Sequence, residues 1–228
     1  MKIMLGTVAG AASGSVGNLT VSHNRGGYYM RMRVIPTKVT NQWTVNVRDI
    51  MASCSRAWGA LDPADQAAWN TWANANPVVD RLGQKQALFG NAAYCMLNCR
   101  LLQAGQVPIT VPPVVAAPEP LATLSAVASA GGGTCLLTFT ATPLGAADQL
   151  WSEAALLVNP GVNYFKNLLK LVQVSAVEEA TGTDLGPDIL ARFGTMAVNH
   201  RLIIKCSVFS SITGLLSGPR LATATVGA

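Results

Sequence analysis

Between Tyr28 and Val34 the chain alternates. Tyr28, Met30, Met32 and Val34 fall on one face of an extended strand, and Tyr29, Arg31 and Arg33 fall on the other. Upstream, Val16, Leu19 and Val21 mark a preceding strand, and the run from Asn24 through Arg25 to Gly27 supplies the turn. Pro36 ends the second strand, so residues 1–43 read as a glycine-rich arm carrying a β-ribbon. A two-stranded ribbon is marginal in water, so this one is expected to pair with another sheet or subunit.

From Thr44 the period lengthens. Val47, Ile50, Met51, Cys54 and Trp58 follow the spacing of an amphipathic helix. A second helix is signalled by Asp62 as cap, Pro63 at the first helical position and Asp65 in the first turn. It places Trp69 and Trp72 three residues apart; with Trp58 and Leu61 they are expected to form the core of a helical hairpin. A third helix is predicted over 86–103, with Leu88, Ala92, Cys95, Cys99 and Leu102 inward and Gly105 as its stop. Residues 44–105 are thus a helical region, and the five prolines in 106–120 read as a semi-rigid linker.

Beyond the linker the pattern changes to short apolar runs between turn signals. They cover 121–127, 134–140, 150–158, 168–175, 189–193, 200–209 and 221–226. Seven such runs over 121–228 predict an immunoglobulin-like or fibronectin-like β-sandwich. The fold class expected is therefore α+β: a β-ribbon arm, a three-helix region, then the sandwich.

Charge sharpens the picture. Only 12% of residues are charged, about half the usual share for a globular domain, which suits surface hidden in an assembly. Seven of the basic residues (Lys2, Arg25, Arg31, Arg33, Lys38, Arg48, Arg56) lie in 1–60, against the single acid Asp49. An acidic or polyanionic partner near the N-terminus follows from that asymmetry. The five cysteines form no CxxC pair and read as buried thiols. The opening "MKIMLGTVAGAASG" is too diluted by Gly and Thr for a signal peptide, and no apolar run is long enough for a membrane span.

Candidate chemistry is sparse. His23 and His200 stand apart, with no HExxH spacing, and there is no GxSxG, Walker A or strand-anchored GxGxxG motif. Glu178, Glu179 and Asp184 lack the ligand alternation of a calcium loop. These absences point away from an enzyme, a cofactor or a metal. Two readings of the basic ribbon stay open. Arg31 and Arg33 could sit on phosphates with Tyr29 stacking on a base. Alternatively, Arg and Tyr, which dominate protein interfaces, clamp a neighbouring subunit. A surface adhesin would rest on Trp151 and Tyr164.

The succession "SGSVGNLTVSHNRGGYYMRMRVIP", "AWGALDPADQAAWNTWA", "GQKQALFGNAAYCMLNCRLLQAGQ" and "VPP" resembles a group of phage and prophage proteins. They share a small-residue arm, an S-x-N-R-x-G-x-Y-x-R ribbon, a W-x-x-L…A-W hairpin and a G…N helix before a proline-rich stop. The match is strongest over 13–105, and the chain departs from the pattern after Pro36. The resemblance picks out Ser22, Asn24, Arg25, Gly27, Tyr29 and Arg31 in the ribbon, and Trp58, Leu61, Ala68 and Trp69 in the hairpin. In the third helix it picks out Gly90, Asn98, Leu102 and Gly105. It implies a virion structural protein without enzymatic activity, located in the particle. Major capsid, neck or tail proteins and further copies of the chain would be its partners, and contact with packaged DNA would be incidental. The anchor would comprise Asn24, Arg25, Tyr28, Tyr29, Met30, Arg31, Met32 and Arg33.

Overall fold

The computed structural model describes residues 13–24, 27–34, 41–79, 84–140, 144–159, 161–162 and 164–228. Arg25, Gly26 and Pro36 lie outside the described residues. The chain divides into two compact units, Met1–Val45 and Asn46–Ala228.

The first unit carries β1 (Gly14–Val16), β2 (Leu19–Asn24) and β3 (Gly27–Met32), in that order and antiparallel. The ribbon thus has a third strand beyond the two expected. A two-residue loop joins β1 to β2, and such loops need positive φ; Gly17 supplies it at +55°. Past the end of β3, the Arg33 N–H donates to Asn18 O at 2.7 Å.

α1 (Gln42–Gly59) leads to α2 (Pro63–Ala75), whose start behaves as its residues predict: Asp62 Oδ1 accepts from the Ala64 N–H at 2.9 Å. A short pair, β4 (Val78–Val79) and β5 (Lys85–Gln86), precedes α3 (Gly90–Gln103). The third helix therefore starts four residues later than expected, with Gln86 in a strand. Its buried surface is also broader than one stripe. Ala93, Tyr94, Leu97, Asn98 and Leu101 are buried along with Cys95 and Cys99, whereas Ala92 is exposed. A helix buried on most of its circumference is one packed between two layers.

The second layer is the β-region: β6 (Thr123–Ser129), β7 (Thr134–Thr140), β8 (Asp148–Leu157), β9 (Lys170–Val177), α4 (Gly186–Phe193), β10 (Arg201–Ser210) and β11 (Arg220–Thr225). One sheet runs β11-β10-β8-β9, and the β6-β7 hairpin packs across it. Residues 182–185 run alongside β7: the Leu137 N–H donates to Thr183 O, Gly182 to Leu137 O and Leu185 to Cys135 O. The chain is therefore α+β, with a β-rich and helical N-terminal part followed by a β-sandwich.

Six of the seven predicted runs are strands. Residues 189–193 are not; they belong to α4. Pro187 sits in its first turn, and Ile189 and Leu190 with Phe193 give it an apolar side that closes one end of the core.

The two central strands of the sheet, β8 and β10, are covered on both faces. Leu202, Ile204, Cys206 and Val208 join Leu137, Phe139 and Leu150 in the sandwich core. On the opposite face, Trp151 and Phe209 pack against Leu101 of α3, with ring centroids 5.4 Å apart. The near-continuous burial of β8 and β10 follows from being enclosed on two sides.

Candidate interaction surface

Directly opposed residues of an antiparallel pair share a face, so the arm sheet sorts its side chains by register. Leu19 opposes Met32, Val21 opposes Met30 and His23 opposes Tyr28, which makes one face largely apolar. The His23 and Tyr28 rings lie 5.5 Å apart on it. Thr20 opposes Arg31 and Ser22 opposes Tyr29 on the polar face, where Ser15 and Thr20 hydroxyls hydrogen-bond at 2.9 Å. Apolar side chains remain in water: Met32 is 70% and Val34 79% exposed. Tyr28, Tyr29 and Met30 are half-buried, while Arg31 and Arg33 are exposed and form no ion pair with a described residue. Asn24 closes the β2-β3 ladder opposite Gly27, and Arg25 lies outside the described residues.

The tryptophans occupy the interior of the helical part. Trp69 is fully buried, and its Nε1–H donates to Thr110 O at 2.7 Å. Tyr94 of α3 reaches between Trp58 and Trp69, with centroid distances of 5.5 and 5.4 Å. Trp72 sits edge-on to Trp69, and Trp58, Leu61, Trp72 and Leu102 are all partly buried around this cluster. α1 buries less of its apolar stripe than expected: Cys54 is buried, but Val47 and Met51 are about half exposed. With Phe89 and Met96, Met51 lines an open groove between α1 and α3.

The residues singled out in α3 have structural work. Asn98 clasps the proline-rich segment, donating through Nδ2 to Ile109 O at 3.0 Å and accepting from the Ile109 N–H at 2.7 Å. Gly90 lies where α2 and α3 meet; a Cβ there would come within 2.6 Å of Asn70 Oδ1, which accepts the Gly90 N–H. Gly105 follows the helix with φ +72°, the left-handed conformation that glycine favours at helix ends.

Several of the candidate chemical groups make local hydrogen bonds. His200 Nδ1 accepts from the Ala197 N–H at 3.3 Å. Asp184 Oδ1 accepts from the Cys135 and Gly186 N–H groups, and Glu179 Oε1 accepts from Thr183 Oγ1. Among the described residues no three His, Cys, Asp or Glu side chains converge to hold a metal ion. Trp151 is buried against Phe209, while Tyr164 is exposed. Two features had no single-residue signal. Arg100 is largely buried beside the sheet, where desolvation lowers its pKa against the favourable field of Glu153. Glu153 in turn pairs with Lys205 Nζ at 2.9 Å. Cys54 and Cys99, far apart in the chain, bring their sulfurs to 3.6 Å.

No family model and no curated protein matches the chain. Among solved structures, an Fn3-like protein from Clostridium thermocellum is similar at 17% identity and a TM-score of 0.31, covering 50% of this chain and 97% of that one. A family 76 glycoside hydrolase from a bovine Bacteroides thetaiotaomicron strain is similar at 10% identity and a TM-score of 0.33, over 48% of this chain and 21% of the hydrolase. Likenesses this slight carry no argument about function, and the architecture above rests on the chain's own strand pairing. No helix of the described residues is long and apolar enough to cross a membrane.

Proposed function

We propose that the chain is a non-enzymatic structural protein of a bacteriophage particle, a minor capsid or head-decoration protein anchored to its neighbours through the N-terminal sheet. The observation that carries this reading is the arm sheet itself. It is two-faced, it leaves Leu19, Met32 and Val34 in water, and it sets Arg31 and Arg33 outward. A sheet of that kind gains by burying its apolar face and by adding backbone hydrogen bonds along an edge strand. Its arginines then meet acidic groups on a capsid, neck or tail neighbour. The immunoglobulin-like or fibronectin-like sandwich would make outward or lateral contacts, and the particle would hold several copies of the chain.

Replacing Arg31 and Arg33 together with Ala is expected to lower incorporation into particles at least tenfold without changing the urea midpoint of the folded protein. Undiminished incorporation would sink the anchoring role. A nucleic-acid role has one observation in its favour: Tyr29 and Arg31 lie on the same sheet face. Under that reading the free protein binds DNA with an affinity that falls steeply with salt, and the double variant flattens the dependence.

A further inference from the structure

We propose that Cys54, Cys99 and Met51 form a three-sulfur site for a soft monovalent metal ion, Cu(I), between α1 and α3, with the two thiols buried and the thioether at the edge of the groove. Met51 and Cys54 stand three residues apart on α1, a spacing that stacks side chains on one helix face. Cys99 approaches from α3. Its Sγ lies 3.6 Å from Cys54 Sγ and 3.9 Å from Met51 Sδ. A metal held by sulfurs at about 2.3 Å separates those sulfurs by roughly 3.8 Å in a tetrahedral site and about 4.0 Å in a trigonal one. The two observed separations, both measured from Cys99, are close to those edges.

The donor set chooses the ion. Two thiolates and a thioether are soft ligands, the kind that select Cu(I). Structural zinc takes four donors, and among the described residues a third Cys, His, Asp or Glu does not converge here. Cys95 is engaged elsewhere, donating to Asn91 Oδ1 at 3.2 Å.

Access and environment fit as well. Cys54 and Cys99 are 3% and 8% exposed, whereas Met51 is 49% exposed and lines the groove with Cys95 and Met96. An ion enters past Met51 and is closed off by the thiols. Burial, reinforced by Cys54, pushes the Cys99 thiol up to about 12. Only deprotonated sulfur is a metal ligand, so binding makes both cysteines thiolates and any thiol proton is released to solvent. The bound ion carries one positive charge against two thiolates, a far smaller desolvation cost than two bare anions.

The test is anaerobic competition for Cu(I) supplied as its coloured bathocuproine disulfonate complex, with X-ray absorption on the loaded full chain. The expected results are withdrawal of one Cu(I) per chain and three sulfur neighbours at about 2.3 Å. Withdrawal should be lost in Cys54→Ala/Cys99→Ala, weakened tenfold or more in Met51→Leu, and unchanged in Met96→Leu. The proposal is overturned by no withdrawal from the probe, by withdrawal that survives Cys54→Ala/Cys99→Ala, or by two-coordinate copper. If the double variant does not fold, the coordination number measured on the wild-type chain decides.

Discussion

Asn98 shows how one side chain can organise a segment without regular structure. Its amide presents a donor and an acceptor to the backbone of Ile109, as a neighbouring strand would, and it does so from a fully buried position. Its place in a G…N pattern marked it in the sequence, but its role was not legible there, because its partner lies in a stretch that reads as a linker. The cysteines were better announced: all five are free and buried, as the absence of paired spacing suggests. Burial pushes Cys135 up to about 12 and Cys206 up to about 11, from 9.0. The folded state thus holds these protons where the unfolded chain releases them. Their contribution to stability is complete below pH 9.0 and is lost as pH rises through those folded values. The unfolding free energy from urea titration should fall between pH 8 and pH 10.5 for the wild-type protein, and fall less in Cys206→Ala, by on the order of 1 kcal/mol. Equal falls in both proteins would show that this thiol is not held neutral.

At the scale of elements, the alternation of β3 and the Asp62-Pro63 start of α2 were legible because each is a local pattern with a local cause. The strand expected over 189–193 failed because a short apolar run has no visible period. What decides it is non-local. α4 seats its first residue against the β6-β7 turn, and a Cβ on Gly186 would strike Gly133 O and come within 2.7 Å of Thr134 Cα. Gly186→Ala must therefore push α4 off the core. It should destabilise the protein by about 2 kcal/mol or more, read as a shift in urea midpoint, whereas an unchanged midpoint would mean that α4 tolerates displacement. The three-helix expectation met a similar limit: a helix covered by α1 and α2 on one side and a sheet on the other buries residues that a single stripe does not predict.

The whole second unit shares cores across what the sequence divides into a helical region, a linker and a sandwich. Leu101 of α3 packs on Trp151 and Phe209 of the sheet, and Arg100 reaches the Gly214 carbonyl at 3.5 Å. Gly214 itself sits where a Cβ would come within 2.7 Å of Leu97 O. Such contacts join residues 50 or more positions apart, so periodicity could not reveal them. They predict that residues 46–228 unfold as one body. Leu101→Ala should cost about 2–5 kcal/mol and move the tryptophan-fluorescence and far-ultraviolet transitions together. Separate transitions would mean that helices and sandwich are independently stable.

We propose that the N-terminal sheet anchors this chain in a phage particle. The most direct measurement is cryo-electron microscopy of particles produced by the strain that encodes it, with the chain traced into the density. Anchoring through the sheet predicts repeated copies of the chain on the shell or its neck, with β3 or β1 paired to a neighbouring subunit and Arg31 and Arg33 against acidic side chains. Particles that lack the chain, or hold it with the sheet free in solvent, would contradict it.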